Sequence, residues 1–546
     1  MSLWDRTPER RRATAWPEAA ATAAAEPAAG PAAGPAAGPA DEGGGLRPRT
    51  LYRGVSGVDR GPVPMPAGQS DGLRDPMARV FFQRDHWPMT LEEVLDGLTR
   101  AGELPTQSVY LISEAGQIPP DETPGLRRDL RFAVSRAAPG KDPDLLVSSD
   151  PGSVFLQVAA WDPVAQVFNY YMRISPAWVW TGDSWSSMAP ESRGKGCFDS
   201  HVNGSVVMKE LKQPWSNWQS MSATIQLAPD DPLRDNPLHG QVIGAERLEL
   251  TVKGLVSRWT AARLSAVVDD GMVTHPDHLL RQLFTTTTVN LASTSTQSAT
   301  VASGGRDLSL PLGFWLNADA LLNDLGLPVS TATVPSAPTS LYADSLQALG
   351  FRLEEQVSDF SQPGDTFFAF VVPEAAYEDN DVVRQLVEKN LVPAGFAACA
   401  LMVDFTNPVF SPVRAHLMRY VPTAPVPVST WCDDIAAAVA AAARTLPADS
   451  PEAEFARNWA LPEADWRGVF AQRVDVYLEK VAARLRTASG FDEFTRLAES
   501  RRRMFKEMRL NEFALTLPTT DIPADAPRLR MHEDGTVAVV TTGGSP

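Results

Sequence analysis

Apolar residues along this chain change their spacing several times, and each change marks an element. In "TLEEVLDGLTRAG", Leu91, Val94, Leu95 and Leu98 recur every three to four positions, behind Thr90 and Glu93 at capping-box spacing. One apolar stripe with a capped start predicts a helix. "LRRDLRFAVSRA", from Leu126 to Ala137, reads as a second helix. From Ser153 the period shortens to two, and "SVFLQVAAW", "QVFNYYMRI" and "AWVWTGDSW" are rich in aromatic and β-branched residues. This predicts an antiparallel meander of about three strands that places the glycine-rich segment Gly194 to Gly204 at a sheet rim.

The helical period returns in "AERLELTVKGLVSRWTAARLSAVV" and in "HPDHLLRQLFTTTTVNLA", where Pro276 suits a first helical turn. A Ser/Thr-rich loop is expected from Ser293 to Gly305, then a buried-type strand "TFFAFVVP" at Thr366 to Pro373. The helix "DNDVVRQLVEKN" follows, with Val382, Val383, Leu386 and Val387 as its stripe. Beyond the proline-rich joint Pro425 to Thr430 the pattern is almost wholly helical to about Glu512, and "TVAVVTT" offers one short strand near the end. The fold class expected is α+β: an antiparallel sheet with long helices, plus a mainly helical C-terminal part. The expected divisions are a disordered Ala/Pro/Gly-rich tail over 1–75 and a mixed α+β domain carrying the candidate site over 76–330. A second α/β unit over 331–428, a helical region over 429–515 and a weakly ordered tail over 516–546 complete the chain.

Length supports several units, because single hydrophobic cores stop growing near ~250 to 300 residues and this chain has 546. Sixty-six acidic against 49 basic residues leave a net charge of -17, which opposes contact with phosphate backbones, so no nucleic-acid partner is expected. The cluster Arg501, Arg502, Arg503, Lys506 and Arg509 sits in a helical pattern and reads as a solvated face. No apolar run approaches the ~20 residues of a membrane span. Cys197, Cys399 and Cys432 are too few and too scattered for a disulfide framework. Arg10 to Arg12 are followed by alanine, proline and glycine rather than an apolar export core, so a cytoplasmic location is expected. The run "AAGPAAGPAAGPA" at Ala28 to Ala40 has no large side chains for a core and is a candidate dock for a protein partner.

One segment carries candidate chemistry: "RGKGCFDSHVNGSVVMKELKQPWSNW", Arg193 to Trp218. Cys197, Ser200 and His201 have the spacing of a c-type haem attachment site in which a serine replaces the second cysteine. A serine hydroxyl cannot make that thioether, so covalent haem is not expected. A metal or a noncovalent haem stays open. Asp199 and His201, two apart and on one side of an extended chain, are candidate catalytic residues. Cys197, His201 and Met208 are candidates for holding a cofactor. His201, with His239 and the i, i+3 pair His275 and His278, are candidate metal ligands. The alternative is structural: Gly194, Gly196 and Gly204 make turns, Cys197 and Phe198 enter the core, and Asp199 and His201 brace the loop. The chain has no nucleophile elbow, phosphate loop or dinucleotide fingerprint in a strand-to-helix context.

The segment resembles a group of bacterial proteins in which a "GCFxCHVNG" stretch precedes a Met-Lys-Glu-Leu helix and a Pro-Trp turn. "VVPEAAYEDN" from Val371 and "LMVDFTNPVFSP" from Leu401 are similar to other stretches of the same group. The resemblance implies a shared fold more than a reaction. The function expected is therefore a cytoplasmic enzyme, with an oxidoreductase the leading class, acting near the Gly194–Gly204 loop. The alternative is a noncatalytic binding or scaffold protein that keeps a degenerate haem-type motif.

Overall fold

The computed structural model describes residues 45–121, 126, 128–199, 201–206, 212, 215–294, 307–330, 335–355, 360–365, 370–508 and 517–540. Its fold is α+β. An eight-stranded sheet holds β1 (Leu51–Arg53) and β2 (Val63–Pro64) at one edge. A meander follows: β3 (Thr106–Ser113), β4 (Leu130–Ala137), β5 (Pro143–Ser149), β6 (Leu156–Asp162), β7 (Val167–Ile174) and β8 (Ala177–Asp183). The order across the sheet is β2-β1-β8-β7-β6-β5-β4-β3. β1 runs parallel to β8, with Leu51 opposite Trp178 and Arg53 opposite Trp180.

The two faces of the sheet bury different sets, as a period of two requires. Val109, Leu111, Phe132 and Val134 join a core with helix α1 (Leu91–Arg100), through Leu91, Val94, Leu95 and Leu98. Thr90 caps that helix by accepting a hydrogen bond from the Glu93 amide at 3.2 Å. Tyr110, Ile112 and Ala133 point the other way and pack on Leu248, Val252 and Val256 of the long helix α2 (Ala245–Val267).

The segment expected to form a helix at Leu126 to Ala137 is a strand instead. β4 pairs with β3 over eight residues, and its alternate side chains serve opposite faces, so pairing on both sides outweighs a weak helical preference. The three expected strands are β6 to β8; their partners β3 to β5 lacked an obvious signal because a sheet covered on both faces has no clean polar side.

A second core draws on residues from Leu264 to Met531 and includes Leu321, Tyr342, Val383 and Trp431. Residues on both sides of the divisions expected at 330/331 and 428/429 belong to this core. The change of core lies within α2, whose Leu255 and Trp259 serve the first core while Leu264 and Val267 serve the second. The second core collects α3 (Pro276–Phe284), α4 (Tyr377–Glu388), α5 (Ala394–Leu401), α6 (Trp431–Ala443), α7 (Pro451–Trp459), α8 (Trp466–Leu485) and α9 (Ala488–Glu507). A two-stranded pair, β9 (Val289–Ala292) with β10 (Val372–Ala375), runs beside them. The C-terminal part is helical as read. The Ser/Thr loop lies mostly outside the described residues, as do 366–369 of the strand expected at Thr366.

Three further expectations need correction. The tail over 1–75 ends earlier, since Leu51, Tyr52, Val55, Met65 and Leu73 are buried; residues 1–44 lie outside the described residues. The end of the chain is not loosely attached between 517 and 540. β11 (Leu529–Met531) pairs with β12 (Val537–Val539), and Met531 is fully buried. Its backbone carbonyl accepts from Thr406 Oγ1 and Asn407 Nδ2, both at 2.9 Å, and its amide donates to Asn407 Oδ1 at 2.9 Å. Arg501 and Arg502 do not belong to a solvated face. Arg501 donates to the carbonyls of Phe314 and Thr406, and Arg502 pairs with Glu499 at 2.7 Å, so both guanidiniums are buried with partners. Arg503 donates to the carbonyls of Pro523, Ala524 and Ala526, and Arg509 lies outside the described residues.

A chain beginning at residue 76 loses five buried apolar side chains, and the buried Asp75, that a chain beginning at 45 keeps. At about 1.5 to 3 kcal/mol for each large apolar group, urea unfolding should show the shorter chain weaker by on the order of 5 kcal/mol or more. Equal stabilities would show that the first edge of the sheet adds nothing.

Candidate functional site

After β8 a short helix, Ser184–Met188, leads to the glycine-rich segment, and backbone geometry fixes its course. Gly204 has φ +84°, and a Cβ there would lie 2.6 Å from Trp259 Nε1 and 2.8 Å from the Ser184 carbonyl, so no other residue fits. Ser184 Oγ donates to the Gly204 carbonyl at 2.7 Å and accepts from the Phe168 amide at 2.9 Å. Trp259 Nε1 donates to the Asn203 carbonyl at 2.6 Å. These contacts lock the "HVNG" turn between β7, β8 and α2.

The Asn203 side chain is aimed by that lock. Its Nδ2 donates to Thr287 Oγ1 at 2.9 Å and to Asp379 Oδ1 at 3.1 Å. Thr287 donates to Asp379 through its hydroxyl and, at 3.1 Å, through its backbone amide. Phe410 N donates to the neighbouring Thr286 Oγ1 at 2.7 Å. The three stretches quoted for the bacterial resemblance thus meet at Thr286 and Thr287, in the threonine run between α3 and β9. A second seam lies close along the chain: Lys212 bridges Asp319 at 2.9 Å and the buried Glu374.

Beside Asn203 opens a small cleft, lined by Met188, Arg193, Val202, Asn203, Arg263, His278, Arg281 and Gln282. Its walls come from the glycine-rich segment, from α2 and from α3. Arg263 is 2% exposed; it donates to the His278 carbonyl. In the orientation that satisfies both ends of its amide, Gln282 offers Oε1 to the same guanidinium at 3.2 and 3.3 Å. Arg193 donates to the Thr287 carbonyl at 2.6 Å. Arg281 lies 3.7 Å from Asp277.

Burial governs the electrostatics. Desolvation pulls Arg263 down to about 10, opposed by Asp379 and reinforced by Arg193 and Arg281. Desolvation also lowers the His278 imidazole below its ordinary range, with Asp277 opposing and His275, Arg263 and Arg281 assisting. Asp379 behaves in the opposite sense: burial raises its carboxyl to about 7, the charge of Glu378 adds to this, and the Thr287 bonds and Arg193 oppose it. Uncharged imidazole beside several guanidiniums, with a carboxyl poised near neutrality behind Asn203, is an arrangement suited to binding and proton transfer.

The residues singled out in the sequence lie elsewhere, apart from His278. His201 is half-buried and lies flat on Tyr170, ring centres 5.3 Å apart and planes 18° apart, while Phe198 meets the same ring edge-on at 5.6 Å. Asp199 ends the short turn Gly196–Asp199 and raises the thiol of Cys197, which burial chiefly pushes up to about 11. That cysteine packs against the first core beside Gln157 and Thr181. Asp199, His201 and Cys197 do not line the cleft. Ser200 and Met208 lie outside the described residues, so a ligand role for Met208 lies there too. His275 and His278 do meet, ring centres 5.1 Å apart. His239 sits half-buried in the turn His239–Gln241. Among the described residues no group of three or more His, Cys, Asp or Glu side chains is placed to hold a metal ion. His201 and His239 therefore do not complete a metal centre with the His275 and His278 pair.

Sequence reasoning missed Arg193, Asn203, Arg263, Arg281 and Asp379. A signal existed for Arg263: it continues the apolar line Val252, Val256, Trp259 and Thr260 of α2, where a lone arginine must be buried. No protein-family model matches the chain, and no curated protein or solved structure matches it.

Asp379 makes stability depend on pH in a definite sense. Its folded-state value near 7 lies above the ordinary 3.8, so the folded state holds the proton more tightly and its contribution is lost as pH rises from about 4 through 7. The stability difference between wild type and Asp379→Asn, from urea unfolding at pH 5 to 8.5, should move against wild type as pH rises. A difference independent of pH would show that the carboxyl titrates normally.

Proposed function

We propose that the protein is an enzyme acting on a small molecule in the cleft beside Asn203, with His278 as the group that accepts a proton. The observation that carries this reading is convergence. Arg193 and Asn203, Arg263, and the trio His278, Arg281 and Gln282 reach one cleft from three separated segments, and Asp379 supports Asn203 from a fourth. Folding stability alone does not call for several guanidiniums around open space, because like charges held together cost free energy. A histidine kept neutral by desolvation is available as a base at pH 7.

Redox chemistry through Cys197 finds little support, because a thiol pushed up to about 11 is protonated and weakly nucleophilic at neutral pH. Proton transfer is the better-supported class. A cytoplasmic location agrees with the absence of a disulfide among the described residues. No helix among the described residues is long and apolar enough to cross a membrane. A protein partner, if the N-terminal run provides its dock, would meet residues outside those described.

The alternative, a noncatalytic binding protein, is favoured by the bonds that Arg193 and Asn203 already make to Thr287. One experiment separates the two. Wild type and His278→Gln are incubated with a small-metabolite extract, and consumption is followed by mass spectrometry. The enzyme reading expects at least one compound to disappear with wild type and to persist, by a factor of about 100 in rate, with the variant. Retention without consumption by either protein would leave a binding protein, and identical consumption by both would remove His278 from the mechanism.

A further inference from the structure

Arg263 is a buried guanidinium that forms no ion pair among the described residues. It lines the cleft, is 2% exposed, and its Nε, fully buried, has no hydrogen-bond partner. Its other nitrogens meet only neutral acceptors, the His278 carbonyl and the Gln282 amide. A cation taken out of water costs several kcal/mol unless a negative charge compensates it. The carboxylate in its field, Asp379, is held away by Thr287 and Asn203 and makes no direct contact with it.

Its neighbours deepen the imbalance. Arg193 reaches the same cleft and donates to a carbonyl, that of Thr287. Arg281 adds a third guanidinium, opposed by Asp277 at 3.7 Å. Each depresses the charge of Arg263 by repulsion. Groups that repel one another in a folded interior, around open space, leave room for an anion that all of them attract.

We infer that the cleft holds a phosphate group, free or as the monoester of a small molecule, with Arg263 and Arg193 as its anchors. This rests on the reading of the cleft as the functional centre and names the class of ligand it takes. Guanidinium forks match the oxygens of phosphate in pairs and carry fixed charge at any physiological pH. A dianion suits a site with three arginines better than a single carboxylate does. Asn203 can add a polar contact, while Met188 and Val202 supply the apolar wall that the rest of a monoester would touch.

Calorimetric titration of the full chain at pH 7.5 and constant ionic strength tests this with four probes: inorganic phosphate, glycerol 3-phosphate, acetate and chloride. Phosphate or glycerol 3-phosphate should bind with a Kd below about 1 mM, and acetate and chloride should not. Tighter binding of the ester would identify a phosphorylated metabolite, and tighter binding of phosphate would identify the free ion. R263Q and R193Q should each weaken binding at least tenfold. If R263Q fails to fold, R193Q decides, and unchanged affinity in a folded R193Q overturns the assignment. Phosphate heats no different from those of chloride, or binding of acetate in place of phosphate, would also overturn it. The two readings fail separately. An uncharged metabolite consumed in a His278-dependent way, with no phosphate binding, would defeat the phosphate inference alone, whereas phosphate binding without His278-dependent turnover would defeat only the enzymatic reading.

Discussion

A buried carboxyl, Asp379, ties the rim of the sheet to the helices of the second core. It accepts from Asn203, at the rim of the eight-stranded sheet, and from both the amide and the hydroxyl of Thr287, which leads into β9. A carboxyl out of water needs such donors, and losing one leaves a buried acceptor unsatisfied at about 1 to 3 kcal/mol. The requirement propagates outward. Asn203 can reach only if Gly204 turns with positive φ against Trp259, and Trp259 stands on α2, the helix that both cores share.

The same seam explains where the cleft lies. Arg193 and Asn203 arrive from the sheet side, Arg263 from the shared helix, and His278 with Arg281 from the helix beyond it. A second line of contacts runs through Lys212 to Glu374 and Asp319, and through Trp215 and Tyr377, which both donate to Glu249. The described residues between 193 and 218 are therefore a joint between cores as well as a wall of the cleft. Clefts between packed units commonly hold ligands because both walls are rigid while the opening stays accessible to solvent.

Much of the architecture was legible in the sequence. The aromatic runs of β6 to β8, the capped stripe of α1 and the long period of α2 each carry a local signal strong enough to survive folding. β4 was misread because "LRRDLRFAVSRA" shows no clean alternation when both of its faces are buried. Arg501 and Arg502 misled for a related reason: a charged run on a helix usually faces water, and only the carbonyls of Phe314 and Val371, brought from far along the chain, show otherwise. The site was half legible. The quoted segment contained Arg193 and Asn203, but its conspicuous cysteine and histidine drew attention from them, and Asp379 stands 176 residues from Asn203 in sequence.

The central claim is that Asn203 and Asp379 are energetically one unit joining the two cores. A double-mutant cycle with Asn203→Ala, Asp379→Ala and the pair, read by urea unfolding at pH 7.5, measures this directly. The account predicts a coupling of at least about 1 kcal/mol. Stability losses that add to within about 0.5 kcal/mol would contradict it, since they would mean that the two side chains stand together without holding the halves to each other.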